Sequence, residues 1–388
     1  MRNYRSLLRI SQIGLVGVFL AFGVWFPIAY EIPKVVVFQW FVRLLALFLV
    51  VSFIKKPRTW KIDDKIATPL VVFLGLSVAT SLFGSNTLKS FQGNYYRGDG
   101  LVTFFSLISF AFIVNYFWEE KLKIYFSEAI FVATTIASII ALAAPFIPFL
   151  SKIQAGTFGN SVFLAGFLVV CLPLSFYYIK VSEHKFLKFL LILQVFAIFA
   201  LKVTAPIIIL PLFVCLLINK YSKVKYKKVI ISSLLVFASV TAILWLKNYN
   251  LDNTKSFVAE GRTRIFINGM QGIAKRPVQG YGFSNFDTAF QTGNWPLKFN
   301  DDVYVDKAHS EIFEILVTTG IFGLFAYLLF VVRIYSKLKI DVKTDWGFTT
   351  MAVFLLYLVH SQTNVTSIAE QILFWFIVGQ SLVWKKVS

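Results

Sequence analysis

His309 is one of three histidines in the chain, and it stands where "DKAHSEIFEIL" passes from charged residues into the long apolar run that ends at Val332. A helix beginning near Asp306 would place its imidazole in or beside the first turn, where the positive end of the helix dipole disfavours protonation. A neutral imidazole can take a proton from a substrate hydroxyl, which is general-base chemistry. The plainer use is a cap or a headgroup contact. Glu311 and Glu314 follow closely. Either could orient the ring, and acids at a helix start are also favoured by the dipole alone.

Arg262 and Arg264 in "GRTRIFINGMQGIAKRP" carry permanent charge on a planar fork that fits phosphate oxygens. Beside a bilayer the matching ligand is a lipid phosphate or pyrophosphate, and snorkelling to headgroups is the competing use. Arg97 in "FQGNYYRGDGLVTFFS" reaches the same face before the next apolar run. Two cations fall in unusual places: Arg43 inside an apolar run and Lys202 at the interruption "LKVTAP". Charge within a membrane is costly, so both are candidates for function. Asn160 in "GTFGNSVFLAGF" is a further candidate, with helix capping as its ordinary role.

The elements that must position these residues follow from composition. Apolar residues make up 57% of the 388 and charged ones 15%, against about 25% charged in soluble domains. So much apolar surface requires lipid as solvent. The net charge of +19 sits in short clusters between apolar runs, which anchor spans, and no aromatic-basic motif points to nucleic acid. Cys171 and Cys215 lie inside apolar runs, so neither a disulfide framework nor a metal cluster is indicated.

A ruler of roughly 20 apolar residues per crossing predicts about twelve spans, near 11–30, 36–54, 66–84, 99–117, 124–145, 161–180, 187–203, 204–219, 229–246, 311–332, 347–363 and 366–384. Pro206 predicts a break or tight re-entry between the seventh and eighth. Basic segments "MRNYRSLLRI", "KKPRTWKIDDK", "KYSKVKYKK", "RIYSKLKIDVK" and the final "KK" fall on one side, with isolated cations such as Lys34, Lys89, Arg97 and Lys152 on the other. The positive-inside rule then puts both termini in the cytoplasm and residues 247–310 outside as one large loop between the ninth and tenth spans. The first apolar run has no small-residue cleavage site and reads as a retained span. Within the loop, Ile265, Phe266, Met270 and Ile273 have helical spacing, and Pro277 with "GYG" ends the element, predicting a short amphipathic helix at the outer surface. "NDD" at 300–302 reads as a turn.

Four segments, "FQGNYYRGDGLVTFFS", "GTFGNSVFLAGFLVVCLPL", "GRTRIFINGMQGIAKRPVQGYGFSNF" and "AHSEIFEILVTTGIFGLFAYL", resemble in order and spacing the O-antigen ligase family. Its members share a domain with O-antigen polymerases and protein O-oligosaccharyltransferases. The resemblance implies a single all-α polytopic domain over 1–388, about twelve spans and a membrane glycosyltransferase (GT-C-like) architecture in a bacterial cytoplasmic membrane. It also implies transfer of a glycan from an undecaprenyl-pyrophosphate carrier to a lipid or glycan acceptor hydroxyl, without metal or nucleotide cofactor, among membrane lipids. On that likeness His309 takes the acceptor's proton and Arg262 grips the pyrophosphate, aided by Arg264 or Arg97. Lys202, Asn160 and Glu314 have supporting places.

Two positions depart from the family pattern. "VTAP" replaces a usual Ser-Arg pair before the eighth span, leaving Lys202 as the nearby cation, and Ser310 stands where Asn is usual. A polymerase that uses a second carrier-linked repeat fits the same residues. A lipid-linked sugar transporter would draw on Arg43 and Lys202, and a non-catalytic scaffold would let His309 and Arg262 be replaced freely.

Overall fold

The computed structural model describes residues 2–23, 30–55, 60–148, 150, 154–223, 228–234, 262–293 and 304–384. The described residues form helices α1 (Arg2–Leu20), α2 (Glu31–Lys55), α3 (Asp64–Leu82), α4 (Thr87–Gln92), α5 (Leu101–Tyr116), α6 (Glu120–Ala143), α7 (Ser161–Ser182), α8 (Lys185–Ala200) and α9 (Thr204–Tyr221). They continue with α10 (Arg262–Lys275), α11 (Phe286–Gly293), α12 (Glu311–Asp341), α13 (Asp345–Ser361) and α14 (Ile368–Ser381). Of these, α2, α3, α6, α7, α9 and α12 are long and apolar enough to cross a membrane. The chain is therefore an α-helical polytopic membrane protein. By that measure the described residues supply six spans against the expected twelve, because α5, α8, α13 and α14 are shorter helices of 14 to 17 residues and the apolar part of α1 is only Leu8–Leu20. Most of the expected ninth span lies outside the described residues, as do 247–261, the "NDD" turn and Lys152.

One end of the bundle gathers the basic segments. Lys337 pairs with Asp63 at 2.6 Å, and Asp63 N–H donates to Leu382 O at 2.9 Å. Lys220 donates to Val342 O at 3.2 Å, and Lys180 pairs with Asp345 at 2.7 Å. His309 lies at the opposite end, because α12 carries it at its start and Asp341 at its finish. The uninterrupted stretch from Ile321 to Asp341, at ~1.5 Å per residue, makes about 31 Å, enough for a ~30 Å core.

Between α8 and α9 the chain breaks as Pro206 predicts. Lys202 turns through a left-handed backbone (φ 54°), and Pro206 sits in the first turn of α9, where a missing N–H costs no bond. Lys34 corrects an expectation. It is not an outer-loop cation but a fully buried residue of α2, donating to the carbonyls of Ala21 (2.6 Å) and Thr157 (2.5 Å).

The segment before α12 has a small core of its own, including Ile265, Ile273, Tyr281, Phe286, Phe290 and Phe313. α10 forms as its spacing predicts, but its buried face is not quite the predicted one. Ile265 and Ile273 are buried with Gly269 and Gly272, while Met270 is exposed and Phe266 lies at the rim, 4.9 Å from the Phe313 ring. The two glycines let Phe313 and the Ala289 backbone approach α10 more closely than any Cβ would allow.

The segment then locks into a fault in α12. Gly320 adopts φ 71°, ψ −176°, which interrupts the helix and frees backbone groups. Tyr281 and Gly282 N–H donate to Val317 O (3.1 Å) and Thr318 O (2.8 Å), and Ile321 N–H donates to Pro277 O (2.9 Å). A break inside a membrane helix is tolerable only when such partners satisfy it. Here the "PVQGYG" turn supplies them.

Candidate active site

Beneath this docked segment lies a cavity of about 160 Å³. Its outer part is lined by Arg97, Asp99, Lys307, His309 and Glu314, and its deeper part by Glu311, Tyr327, Tyr357 and Trp375. Stretches distant in sequence build it: the start of α2, the loop before α5 and α5 itself, the loop leading into α12 with the first half of α12, and the turn between α13 and α14 with the start of α14.

The helix starts later than expected. Ser310 is the N-cap of α12, its hydroxyl accepting from Phe313 N–H at 3.4 Å, so His309 lies outside the helix in a left-handed conformation (φ 55°). Ser310 Oγ also donates to Gln362 Oε1 at 2.9 Å, tying this start to the α13–α14 turn. The helix dipole is not the leading reason for a neutral ring. Burial, and after it the Arg262 charge, pushes the His309 pKa down to about 4, only partly opposed by Asp306.

Arg262 opens α10 and donates to Asn364 Oδ1 at 2.9 Å, and Asn364 lines the cavity. Arg262 is not itself a lining residue, but through Asn364 it borders the cavity, and its charge acts on the imidazole 47 positions further along the chain. Arg97 also reaches the cavity, donating to Asp306 and lying 5.5 Å from the ring centres of Tyr96 and Phe163. Burial works against the Arg97 charge, but Asp306 outweighs it and raises its pKa. Lys307 is similar. Asp99 Oδ2 at 2.6 Å and Glu314 Oε1 at 3.1 Å overcome its burial and hold it charged. Asp99 and Asp306 would rise on burial, yet Lys307 and Arg97 respectively keep both below the usual carboxylate range.

Glu314 therefore does not orient the imidazole. It accepts from Lys307 and from Ala308 N–H (2.8 Å), bracing the backbone that presents His309. Glu311 turns toward Tyr357, whose hydroxyl donates to it at 3.4 Å. Arg264, two positions along α10, is half-buried and is not among the residues lining the cavity. Lys202 is exposed at the α8–α9 turn. Asn160 is exposed and caps α7, accepting from Val162 N–H at 2.8 Å. Arg43 is exposed with its guanidinium 4.8 Å from the Trp40 ring, the snorkelling arrangement.

Sequence reading missed Lys307, Asp99, Asn364 and the carboxylate of Glu31, whose Oε2 accepts from Ile368 N–H at 3.1 Å on the cavity wall. The available signal was charge beside or inside apolar runs, at Glu31 and in "DKAH". Among the described residues, no three or more His, Cys, Asp or Glu side chains gather as metal ligands would.

Residues 189–328 match the model of the O-antigen ligase family, a stretch that contains Lys202, Arg262, Arg264, His309 and Glu314. Arg97, Asn160 and Asn364 lie outside it. No curated protein matches the chain significantly.

Proposed function

From a membrane chain that carries an O-antigen ligase domain over residues 189–328, we propose a glycosyltransferase that moves a glycan from an undecaprenyl-pyrophosphate carrier to an acceptor hydroxyl. The observation that carries this reading is a neutral His309 on the wall of a cavity between membrane helices, under the charge of an Arg262 that is held by Asn364, another residue of that wall. The acceptor oxygen attacks the anomeric carbon as the bond from that carbon to the pyrophosphate oxygen breaks. The acceptor's proton passes to a ring nitrogen of His309, and the bonding pair leaves with the pyrophosphate, where Arg262 stabilises the growing charge. Neither step calls on a metal.

His309 is a weak base in the empty site, because burial and Arg262 both oppose its protonation. A pyrophosphate seated on Arg262 cancels the second influence and raises the basicity of the ring when it is needed. Arg97 and Lys307 already spend their charge on Asp306, Asp99 and Glu314. Their part is to hold the loop that carries His309, with Arg97 a secondary contact to the donor. Arg264 serves the outer surface of α10.

The basic segments cluster at the end opposite His309, which supports a cytoplasmic position for that end and for both termini in a bacterial inner membrane. The cavity then opens to the outer face, and the shorter helices complete about twelve crossings of one GT-C-like domain. His309→Ala, at normal membrane abundance, is expected to lower transfer from an undecaprenyl-pyrophosphate-linked glycan by roughly 10²–10⁴-fold. Undiminished transfer would refute the role of the imidazole. Deleting the gene and analysing surface glycans would separate ligase from polymerase, through lost attachment or altered chain length.

A further inference from the structure

His360 takes no part in the mechanism above, yet it is wholly buried within the protein, in the last turn of α13, against Glu370, which is wholly buried as well. His360 Nδ1 lies 2.8 Å from Glu370 Oε1, and the other glutamate oxygen accepts from Ser367 N–H at 2.7 Å in the capping box of α14. The carboxylate is thus fixed from one side and meets the imidazole from the other. Gly166 on α7 leaves the room, since a Cβ there would strike His360 Cε1 and Glu370 Oε1. Three helices, α7, α13 and α14, converge on a pair that does no evident work of its own.

The work lies one residue further along. His360 Nε2 faces Asn364 Nδ2 at 3.5 Å, and Asn364 Oδ1 accepts from Arg262 at 2.9 Å. A carboxylate oxygen 2.8 Å from Nδ1 favours keeping the ring proton on that nitrogen, which leaves a lone pair at Nε2. That lone pair favours the NH₂ end of the Asn364 amide, so the oxygen turns toward the guanidinium. With the opposite tautomer, Nε2–H would attract the amide oxygen and leave NH₂ facing a cation, with no bond possible.

We propose that the His360–Glu370 pair is a positioning element for Arg262, selecting the amide orientation of Asn364 that holds the guanidinium at the cavity. The proposal rests on the reading of Arg262 as the pyrophosphate grip. It assigns His360, Asn364 and Glu370 to donor binding through Arg262, not to contact with the reacting atoms.

The test uses the full chain in lipid nanodiscs, with undecaprenyl pyrophosphate as the probe and thermal unfolding as a check that each variant is folded. Asn364→Leu is expected to weaken probe binding about tenfold, the scale of a lost hydrogen bond to a charged group. Asn364→Asp, of the same shape, is expected to weaken it also, by neutralising Arg262 and setting an acceptor against Nε2. Glu370→Gln keeps the shape and, through its one oxygen, the Ser367 cap, but turns its NH₂ toward Nδ1 and so favours the tautomer with Nε2–H. It is expected to weaken binding as Asn364→Leu does, and a folded variant that binds as wild type would overturn the role of the pair. The double variant Arg262→Ala/Asn364→Leu should bind no more weakly than Arg262→Ala alone, a non-additivity that a merely structural Asn364 would not produce. If Arg262→Ala weakens binding while both folded Asn364 variants bind normally, or if the losses simply add, the positioning role is overturned and the donor grip survives. If Arg262→Ala binds the probe normally, the donor grip itself fails and the positioning role falls with it.

Discussion

The two ends of the bundle use the same chemical pairs for opposite purposes. At the end holding Asp345, the partners Lys180 and Asp345 remain 44% and 42% exposed. Tyr221 joins them, donating to Asp345 at 2.8 Å, and water reaches all three. At the His309 end, Lys307, Asp99 and Glu314 are only 14 to 17% exposed, and Asp99 comes from a stretch of chain far from the other two. Exposed pairs are worth ~0–1 kcal/mol, since solvent screens them. Buried pairs gain little net stability over apolar packing, but removing one partner strands the other. The first end is therefore a set of surface anchors, whereas the second is a shaped site whose charges must stay together.

That contrast breaks most readily at Lys307. Lys307→Met leaves Asp99 and Glu314 facing one another in a buried space, and should cost ~3–5 kcal/mol. Thermal unfolding in detergent would read the loss, and an unchanged midpoint would mean that the His309 end is no more interlocked than the other. A smaller loss is expected at Gly320, where the backbone conformation suits only glycine and a Cβ would meet Val278 O. Gly320→Ala should cost about 1–3 kcal/mol and loosen the 277–282 turn. Faster protease cleavage within that turn would report it, and an unaltered cleavage rate would mean the fault in α12 is incidental.

These two sites also mark what sequence could and could not convey. Hydropathy located most of the described helices to within a few residues, because burial in lipid writes itself into long apolar runs, but α1 lies about ten residues before the expected 11–30 and α12 runs past 332 to Asp341. The local fold of "GRTRIFINGMQGIAKRP" was legible from its period and its proline. Gly320, by contrast, reads as an ordinary helix glycine in "TTGIFG", since its positive-φ backbone depends on the Pro277 carbonyl that accepts from Ile321 N–H and on the close approach of Val278 O. His309 was visible as charge chemistry beside an apolar run, and Arg262 through its likeness to a family motif. Lys307, Asn364 and His360 were not, because each matters only through a partner brought near by tertiary packing. Lys202 and Asn160 show the reverse error. Their residue types fitted a site, and the fold gave them a turn and a cap.

The electrostatic coupling within the His309 end predicts a more modest effect. Wild-type kcat/KM should stay level as pH falls until it nears the His309 pKa of about 4, because a base works only when unprotonated and this ratio reports the free enzyme. Burial is the main cause of that low value and Arg262 the next. Arg262→Gln removes only the second, so the acid limb should move up, toward the ordinary value near 6.5, by roughly one unit. The residual activity of the variant, normalised to its own plateau, gives the measurement. A limb that stays in place would mean that the guanidinium and the imidazole do not act as one electrostatic unit.

The smallest expected effect lies at the other end, and the comparison depends on its being small. Lys180→Met removes a cation from an exposed pair in which Tyr221 still donates to Asp345. The stranded carboxylate can hydrate, so the cost should be at most ~1 kcal/mol, and the methionine stem keeps most of the packing. Raising the salt concentration should shrink even that difference, because an exposed pair is screened over about 10 Å at 0.1 M. Lys307→Met should show little such salt dependence, as its partners are shielded from ions by the docked loop. Measuring both variants across a salt series thus separates anchor from site without reference to activity. Equal salt sensitivity at Lys180 and Lys307 would mean that water and ions enter the His309 cavity as freely as they reach the opposite surface.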